Sequence, residues 1–397
     1  MAAPRTALLA HLQTWRPYTL WYPGLVGLAG ATLAGAHPTT GQLTVAWAAP
    51  TLGWVAGHYL GDYYDRDLDA LSKPQRPIPS GRLSPRTAVA TGIGCIVAVA
   101  VLALWANWRA VAVAAAAMAG IVAYSRVLKG RGLPGNLIRG VLTALTVLFG
   151  AMAVQPWPPW RALPFALVFL AHDTASNLVG TLRDVEGDRD GGYATVPVRR
   201  GLRSATHTAA ALYLASVAVA CAATGLVPRD TAGYLVLLSA AALCGAGAFG
   251  LLLRACVISP AGRATSGTLP QLPLGGAPSR GVAETPTWLR HEGAPAPCDR
   301  TPQTPHADPT GDMTQALRSP GHLAPALALR AHGVLVAERL VLAAAVVAAG
   351  AGAAPALALL TPLLAVSVIT QSRMRSRHEF PAPPLADGGP TLPDPRP

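Results

Sequence analysis

The sequence predicts an all-α fold: a polytopic bundle of nine or ten transmembrane helices. Two observations predict it. Of 397 residues, 51% are hydrophobic and only 13% are charged. Apolar stretches that reach or approach membrane-spanning length recur along most of the chain, separated by short charged loops. About 20 largely apolar residues cross a bilayer as a helix, and short of a closed barrel a helix is the way a span satisfies its own backbone in lipid.

In chain order the spans are 19–36, 41–60, 87–106, 108–124, 135–154, 163–181, 205–226, 231–253, 335–352 and 354–370. The N-terminus carries Arg5 and Arg16 without a small-residue cleavage site, so the first span reads as a retained helix and not a signal peptide. Asn107 marks the turn between the third and fourth spans. The last two are split by Gly350, Ala351, Gly352 and Pro355, which leaves open one broken helix or two helices.

Charge orients the spans. The loop after the second carries Arg66, Lys73, Arg76, Arg82 and Arg86; the loop after the fourth carries Arg126, Lys129 and Arg131; the loop after the sixth carries Arg183, Arg189, Arg199, Arg200 and Arg203. The first, fifth and seventh loops hold at most one Arg each. The positive-inside rule then puts the even-numbered loops and the N-terminus in the cytoplasm, and the basic tail Arg373, Arg375 and Arg377 favours an even count, hence ten. The net charge of +12 is explained by these loops; no basic patch interleaved with aromatics suggests nucleic acid. Five cysteines, without a CxxC pair or a His/Cys cluster, support neither a zinc site nor a disulfide framework.

By composition the chain divides into a membrane core over 1–256 holding both acidic motifs, a Pro/Gly-rich cytoplasmic linker over 257–330 expected to be disordered, C-terminal transmembrane helices over 331–372, and a disordered tail over 373–397.

The chemistry lies at two span ends. After the second span, Asp62, Asp65 and Asp69 fall at i, i+3 and i+7 and share one helical face. Carboxylates on one face repel one another, so a cation must compensate. Magnesium suits them, being a hard ion held by one or two carboxylates plus substrate phosphates. Lys73, Arg76, Pro77, Pro79, Ser80, Gly81 and Arg82 follow. Acid for metal and then base for phosphate is what a diphosphate site requires. At the end of the sixth span Asn177, Thr181, Asp184 and Asp188 share another face, on the same membrane side, so the two clusters can converge on one cavity.

Together these residues resemble the UbiA superfamily of intramembrane prenyltransferases. Gly61–Asp69 with Lys73–Gly81 resembles its first signature. Arg183–Arg189 through Thr195–Val198 resembles its second, and Tyr124, Ser125, Lys129 and Asn136 resemble its intervening loop. Order and spacing agree from about residue 15 to 255. The chain departs at Gly61, where the family usually has Asn, at Thr181, where many members have a further Asp, and in its ten spans and long linker, where the family is typically nine-helical.

The resemblance implies a bundle around a central substrate cavity. It also implies Mg2+ between the diphosphate and Asp62, Asp65, Asp69, Asp184 and Asp188, and capture of an allylic cation by a lipophilic acceptor, expected to be aromatic. Lys73, Arg76, Lys129 and Arg139 are candidate diphosphate ligands, although each could be only a loop charge. Tyr124 either bonds diphosphate or anchors at the membrane interface. Asp173, next to His172 inside a span, extends the Asn177 face inward; it either orients the acceptor and takes its proton or is a buried structural group. Glu338 and Arg339 are a candidate structural ion pair, though neighbours in sequence do not face each other on a helix. Two other readings use the same residues: a membrane terpene cyclase, which ionises the diphosphate without an acceptor, and an ion-coupled transporter, whose sites lie nearer the bilayer midplane.

Overall fold

The computed structural model describes residues 4–35, 37–258 and 323–379. Among them there is no strand. The helices are α1 Pro4–Trp15, α2 Pro17–Leu33, α3 Thr40–Tyr64, α4 Arg66–Ser72, α5 Pro85–Ala106, α6 Ala110–Ala123, α7 Leu133–Met152, α8 Ala162–Arg183, α9 Val185–Asp190, α10 Val196–Ala222, α11 Thr231–Ile258, α12 Leu323–Ala351, α13 Ala353–Thr370 and α14 Ser376–Glu379. Ten of them answer to the ten spans, and eight are long and apolar enough to cross a membrane by length and composition.

Local chemistry sets many of the boundaries. Pro17, Pro85, Pro134 and Pro197 open α2, α5, α7 and α10, where a missing N–H costs nothing. Thr39 and Gln42 form a reciprocal capping box at the start of α3. Gly352, at φ 100°, takes a conformation that side chains resist, and it resolves the C-terminal apolar run into two helices.

α12 is the centre of the bundle. It packs on α2, α8, α11 and α13, while α7 joins α2 to α8 and α3 joins α2 to α5. Leu340 and Val341 through Ala349 are buried in the main core. Small residues let the backbones approach, as membrane helix packing favours. A Cβ at Gly27 would lie 1.9 Å from the Ala46 carbonyl oxygen, and one at Gly150 would lie 1.9 Å from that of Gly27. Outward-facing Ile93, Val97, Val101, Leu104 and Leu243 are exposed, as a lipid-facing surface requires. Trp105, Trp108, Trp157 and Trp160 are exposed at the end away from the Asp motifs, where an aromatic interfacial belt belongs.

Three expectations change. The predicted linker 257–330 is helical at both edges, because α11 runs to Ile258 and α12 begins at Leu323; residues 259–322 lie outside the described residues. The C-terminal helices are not a separate domain, since α12 completes the core of the same bundle. The tail expected to be disordered from 373 is helical to Glu379, whose carboxylate pairs with Lys73, Arg76 and Arg183; residues 380–397 lie outside the described residues.

Candidate active site

The first motif straddles the junction of α3 and α4. Asp65 caps both helices, yet the i→i+4 backbone bonds continue through it, from Asp65 to Gly61 and from Asp69 to Asp65. The three carboxylates therefore keep the common face that their spacing predicts. Each meets a cation of the chain. Arg16 donates to Asp62 at 2.6 Å, Lys129 to Asp65 at 2.5 Å, and Arg76 to both oxygens of Asp69 at 3.0 and 2.8 Å. Asp62 and Asp69 are buried, at 5% and 4% exposure. A Cβ at Gly61 would meet nothing within 4 Å, so the Asn of the signature would find open space there.

Two backbone irregularities aim these cations. Arg16 is the one non-glycine residue at positive φ among the described residues, at 51°, in the one-residue break between α1 and α2. A single π turn, Tyr124–Leu128, ends α6 before Lys129, and such turns cluster at functional sites.

The second motif repeats the design at the junction of α8 and α9. Arg183 forks onto Asp184, at 3.0 and 2.6 Å, and Lys73 reaches the same carboxylate at 3.3 Å. Burial opposes ionisation of Asp184, but Arg183 and Lys73 outweigh it and hold its pKa well below the usual carboxylate range. Asp188 has no ion pair among the described residues, and burial together with the nearby Asp184 pushes it up to about 6.

Lys73 bridges the two motifs, because it follows the first and binds the second. Its second contact is a residue that nothing in the sequence singles out. Glu379, on α14, accepts from Lys73 at 3.4 Å and from Arg76 at 3.2 Å, and pairs with Arg183 at 3.3 Å. Arg16, Arg183 and Glu379 are the site residues that sequence reading missed. Arg183 stands in the second signature and among the loop charges without a ligand role assigned to it, and Glu379 falls in the stretch 373–397 expected to be disordered.

Further candidates line the inner side. Asn136 donates to Asn177 at 2.9 Å, joining α7 to α8, and the Asn136 side-chain oxygen is buried without a hydrogen-bond partner among the described residues. The Thr181 hydroxyl donates to Leu178 O at 2.7 Å in its own helix. Arg139 does not join the acidic motifs; its guanidinium stacks over Trp54 at 4.7 Å and over Tyr124 at 5.4 Å.

Deeper still, Asp173 accepts from Tyr22 at 3.0 Å and from Thr143, and His172 faces it at 3.5 Å. With both oxygens engaged, Asp173 ties α2, α7 and α8 together. His172 also meets Glu338 at 2.6 Å, and Tyr213 donates to Glu338 at 3.3 Å. Glu338 and Arg339 do not pair with each other. Arg339 points instead across the Tyr22 ring at 4.4 Å, buried, with its Nε and one terminal nitrogen free of hydrogen-bond partners among the described residues.

The donor set is chemically suited to magnesium. It is all carboxylate oxygen, and Asp62 keeps one buried oxygen without a hydrogen-bond partner among the described residues. Among the described residues no three His, Cys, Asp or Glu side chains gather as a closed metal cage. Magnesium does not require one, since it is ordinarily held by one or two carboxylates and completed by substrate phosphates.

Comparison with known proteins agrees with this arrangement. The sequence profile of the UbiA prenyltransferase family matches residues 20–256, more than half of the chain. The digeranylgeranylglyceryl phosphate synthase of Natronomonas pharaonis is 35% identical over 202 residues, covering 51% of this chain and 73% of the relative. The enzyme of the same name from Ignicoccus hospitalis is 32% identical over 249 residues, covering 60% and 82%. Among solved structures, the apo UbiA homolog from Aeropyrum pernix K1 superposes with a TM-score of 0.53 at 20% identity, over 62% of this chain and 90% of that one. A digeranylgeranylglyceryl phosphate synthase structure gives 0.50 at 23% identity, over 62% and 88%. Both share the fold.

Proposed function

This chain belongs to the UbiA prenyltransferase family and is a membrane prenyltransferase, and from that premise we propose that it moves a prenyl group from a prenyl diphosphate onto a glyceryl phosphate lipid at the Asp-rich end of the bundle, in the cytoplasmic leaflet. The observation that carries the diphosphate half is the convergence of Lys73, Arg76 and Arg183 from both motifs on a single carboxylate. Three cations aimed at one anion, with Arg76 buried and Lys73 and Arg183 half-buried, form a site for phosphate oxygens.

In this reading Asp62, Asp65, Asp69, Asp184 and Asp188 hold Mg2+. When bound, the ion neutralises charge that develops on the departing pyrophosphate. Lys73, Arg76 and Arg183 bind and orient the diphosphate, with Lys129 at its rim. Their donors face the oxygens on which charge grows as the allylic C–O bond breaks. Pyrophosphate leaves with that electron pair. A lone pair of the acceptor's hydroxyl closes the new bond, and its proton is released. Apolar walls from the bundle keep water from the cation.

Arg339 and Arg139 support an anionic acceptor. Both guanidiniums lie against Trp54, at 5.8 and 4.7 Å, on the inner side of the motifs. Arg339 keeps two buried donors unpartnered among the described residues, and a buried donor left unsatisfied costs free energy that an acceptor's phosphate would recover. The named relatives, whose product is a glyceryl phosphate lipid, point the same way. An aromatic acceptor is the second reading, favoured by Tyr22 and Trp54 on the same wall.

The test is to incubate the purified protein with Mg2+ and labelled prenyl diphosphates, with a glyceryl phosphate lipid, with an aromatic acid, and with neither. A prenylated glyceryl phosphate lipid is expected. A prenylated aromatic product would replace the acceptor assignment. Pyrophosphate release without any acceptor would favour the cyclase reading.

A further inference from the structure

The anion bound at the proposed diphosphate site belongs to the protein itself. Glu379 and His378 are buried, at 8% and 6% exposure, in the middle of the acidic end. Their placement is built from several independent contacts. At the end of α13 a single π turn, Gln371–Arg375, redirects the chain. Gln371 donates to Gly333 O at 3.2 Å, and Arg375 meets His332 at 2.6 Å, which fixes the turn against α12. Beyond it, Gln75 donates to the His378 carbonyl at 3.2 Å, and Arg16 donates to the His378 ring at 3.2 Å. Residues of the first motif's loop and of the α1–α2 break thus grip the segment at His378, immediately before Glu379.

Charge counting shows what the carboxylate does. Arg16, Lys73, Arg76 and Arg183 face Asp62, Asp69, Asp184 and Glu379 in one connected set. The set is neutral with Glu379 in place and carries one uncompensated positive charge without it. The contacts are also graded. Arg76 holds Asp69 at 2.8 Å and Arg183 holds Asp184 at 2.6 Å, whereas they hold Glu379 at 3.2 and 3.3 Å. Charge-assisted bonds are strongest near 2.7–2.9 Å. Glu379 is therefore held less tightly than Asp69 on Arg76 and than Asp184 on Arg183, while Asp62 touches Arg76 only at 4.0 Å and has Arg16 as its close partner, so a more highly charged anion can displace Glu379.

We propose that the C-terminal segment Gln371–Glu379 is a built-in plug, in which the Glu379 carboxylate occupies the subsite for a diphosphate oxygen and competes with the substrate for Lys73, Arg76 and Arg183. The inference rests on the diphosphate reading of that site. Its consequence is an affinity set by how often the plug is out. If the segment sits in the site nine-tenths of the time, the apparent affinity for diphosphate is lowered about tenfold.

The test uses the full-length protein, Glu379→Gln, and a chain ending after Arg375, with magnesium pyrophosphate as the binding probe and prenyl diphosphate as the substrate. Both variants are expected to bind pyrophosphate roughly three- to tenfold more tightly and to lower KM for the prenyl diphosphate by a similar factor, with kcat nearly unchanged. A peptide of residues 371–379 added to the shortened chain should inhibit competitively against the diphosphate, and the Glu379→Gln peptide should not. Unchanged or weaker pyrophosphate binding by Glu379→Gln would overturn the plug, as would a fall in kcat, which would instead make Glu379 a positioning residue for the three cations. Failure of the underlying reading looks different: neither the wild type nor either variant would bind pyrophosphate, and Lys73→Gln would change nothing.

Discussion

The two Asp-rich motifs occupy equivalent helix junctions, but they are neutralised differently. In the first, every carboxylate has its own cation, drawn from three separate places in the chain: Arg16, Lys129 and Arg76. In the second, Asp184 is shared by Arg183 and Lys73, while Asp188 has no ion pair among the described residues. The first motif is thus charge-balanced before any ligand arrives, and its geometry is fixed by the fold. The second keeps a carboxylate whose charge depends on pH and on what binds. A site that must accept a metal and an anion together needs both: a rigid pole to set the position and an adjustable pole to respond.

The largest effect is expected at the rigid pole. Asp65→Ala removes a proposed Mg2+ ligand and strands Lys129 without its 2.5 Å partner. Activity should fall about 10²–10³-fold, the usual cost of losing one preorganised electrostatic contact in a reacting site, while Mg2+ affinity weakens in parallel. Magnesium-dependent turnover within threefold of wild type would show that the first motif is not the metal pole. Arg183→Gln should come next. It loses the fork on Asp184 and one donor to the leaving group, together worth about 1.5–3 kcal/mol, or roughly 10- to 100-fold in kcat/KM. Arg16→Gln, which touches Asp62 and His378 but not Glu379 or Asp184, should cost less than Arg183→Gln. The reverse order would mean that the two poles are not specialised as described.

The adjustable pole predicts a pH effect in the metal-free protein. The Asp188 carboxyl sits near 3.8 when unperturbed and about 6 in the fold, raised by burial and then by Asp184. Between those values the folded protein holds a proton that the unfolded chain has lost, so folding stability must decline as pH rises from about 4 to 6 and level off above. Asp188→Asn removes the titrating group. Subtracting its melting temperatures from those of the wild type across pH 4–8 should give a difference that grows more negative up to about pH 6 and then stays flat. A difference that is constant across that window would refute the raised pKa.

How much of this was legible in the sequence follows from what periodicity can report. Span length and charge placement give ten helices, most with ends within a few residues, although α10 begins at Val196 and α12 at Leu323, well ahead of the predicted 205 and 335; the i, i+3, i+7 spacing of Asp62, Asp65 and Asp69 places three carboxylates on one face. Both are local properties of a helix. The short α1 was not foreseen, because 4–15 is too short and too mixed in character to resemble a span. Nor did the spacing reveal the counter-ions. Arg16 reaches Asp62 through one left-handed residue, and Glu379 reaches Arg76 across 303 residues of chain. A Pro-rich tail carries no periodicity, so a single glutamate inside it gives no sign of its partners. Asp173 was legible as an expensive buried charge, but its donors come from α2 and α7, and only packing could bring Tyr22 and Thr143 to it.

The smallest effect tests the same limit at one residue. Thr181 shares the face of Asn177, Asp184 and Asp188, and by spacing alone it belongs to the substrate wall. In the structure its hydroxyl is spent on Leu178 O in the preceding turn, the common way for a threonine inside a membrane helix to satisfy itself. Thr181→Ala should therefore leave KM for the prenyl diphosphate within about twofold and shift stability by no more than about 1 kcal/mol, the net worth of one such bond. Steady-state kinetics beside a melting curve would measure both. If Thr181→Ala instead raised KM tenfold with stability unchanged, the hydroxyl would be rotating onto the substrate when it binds, and the second motif would be adjustable one helical turn deeper than Asp184.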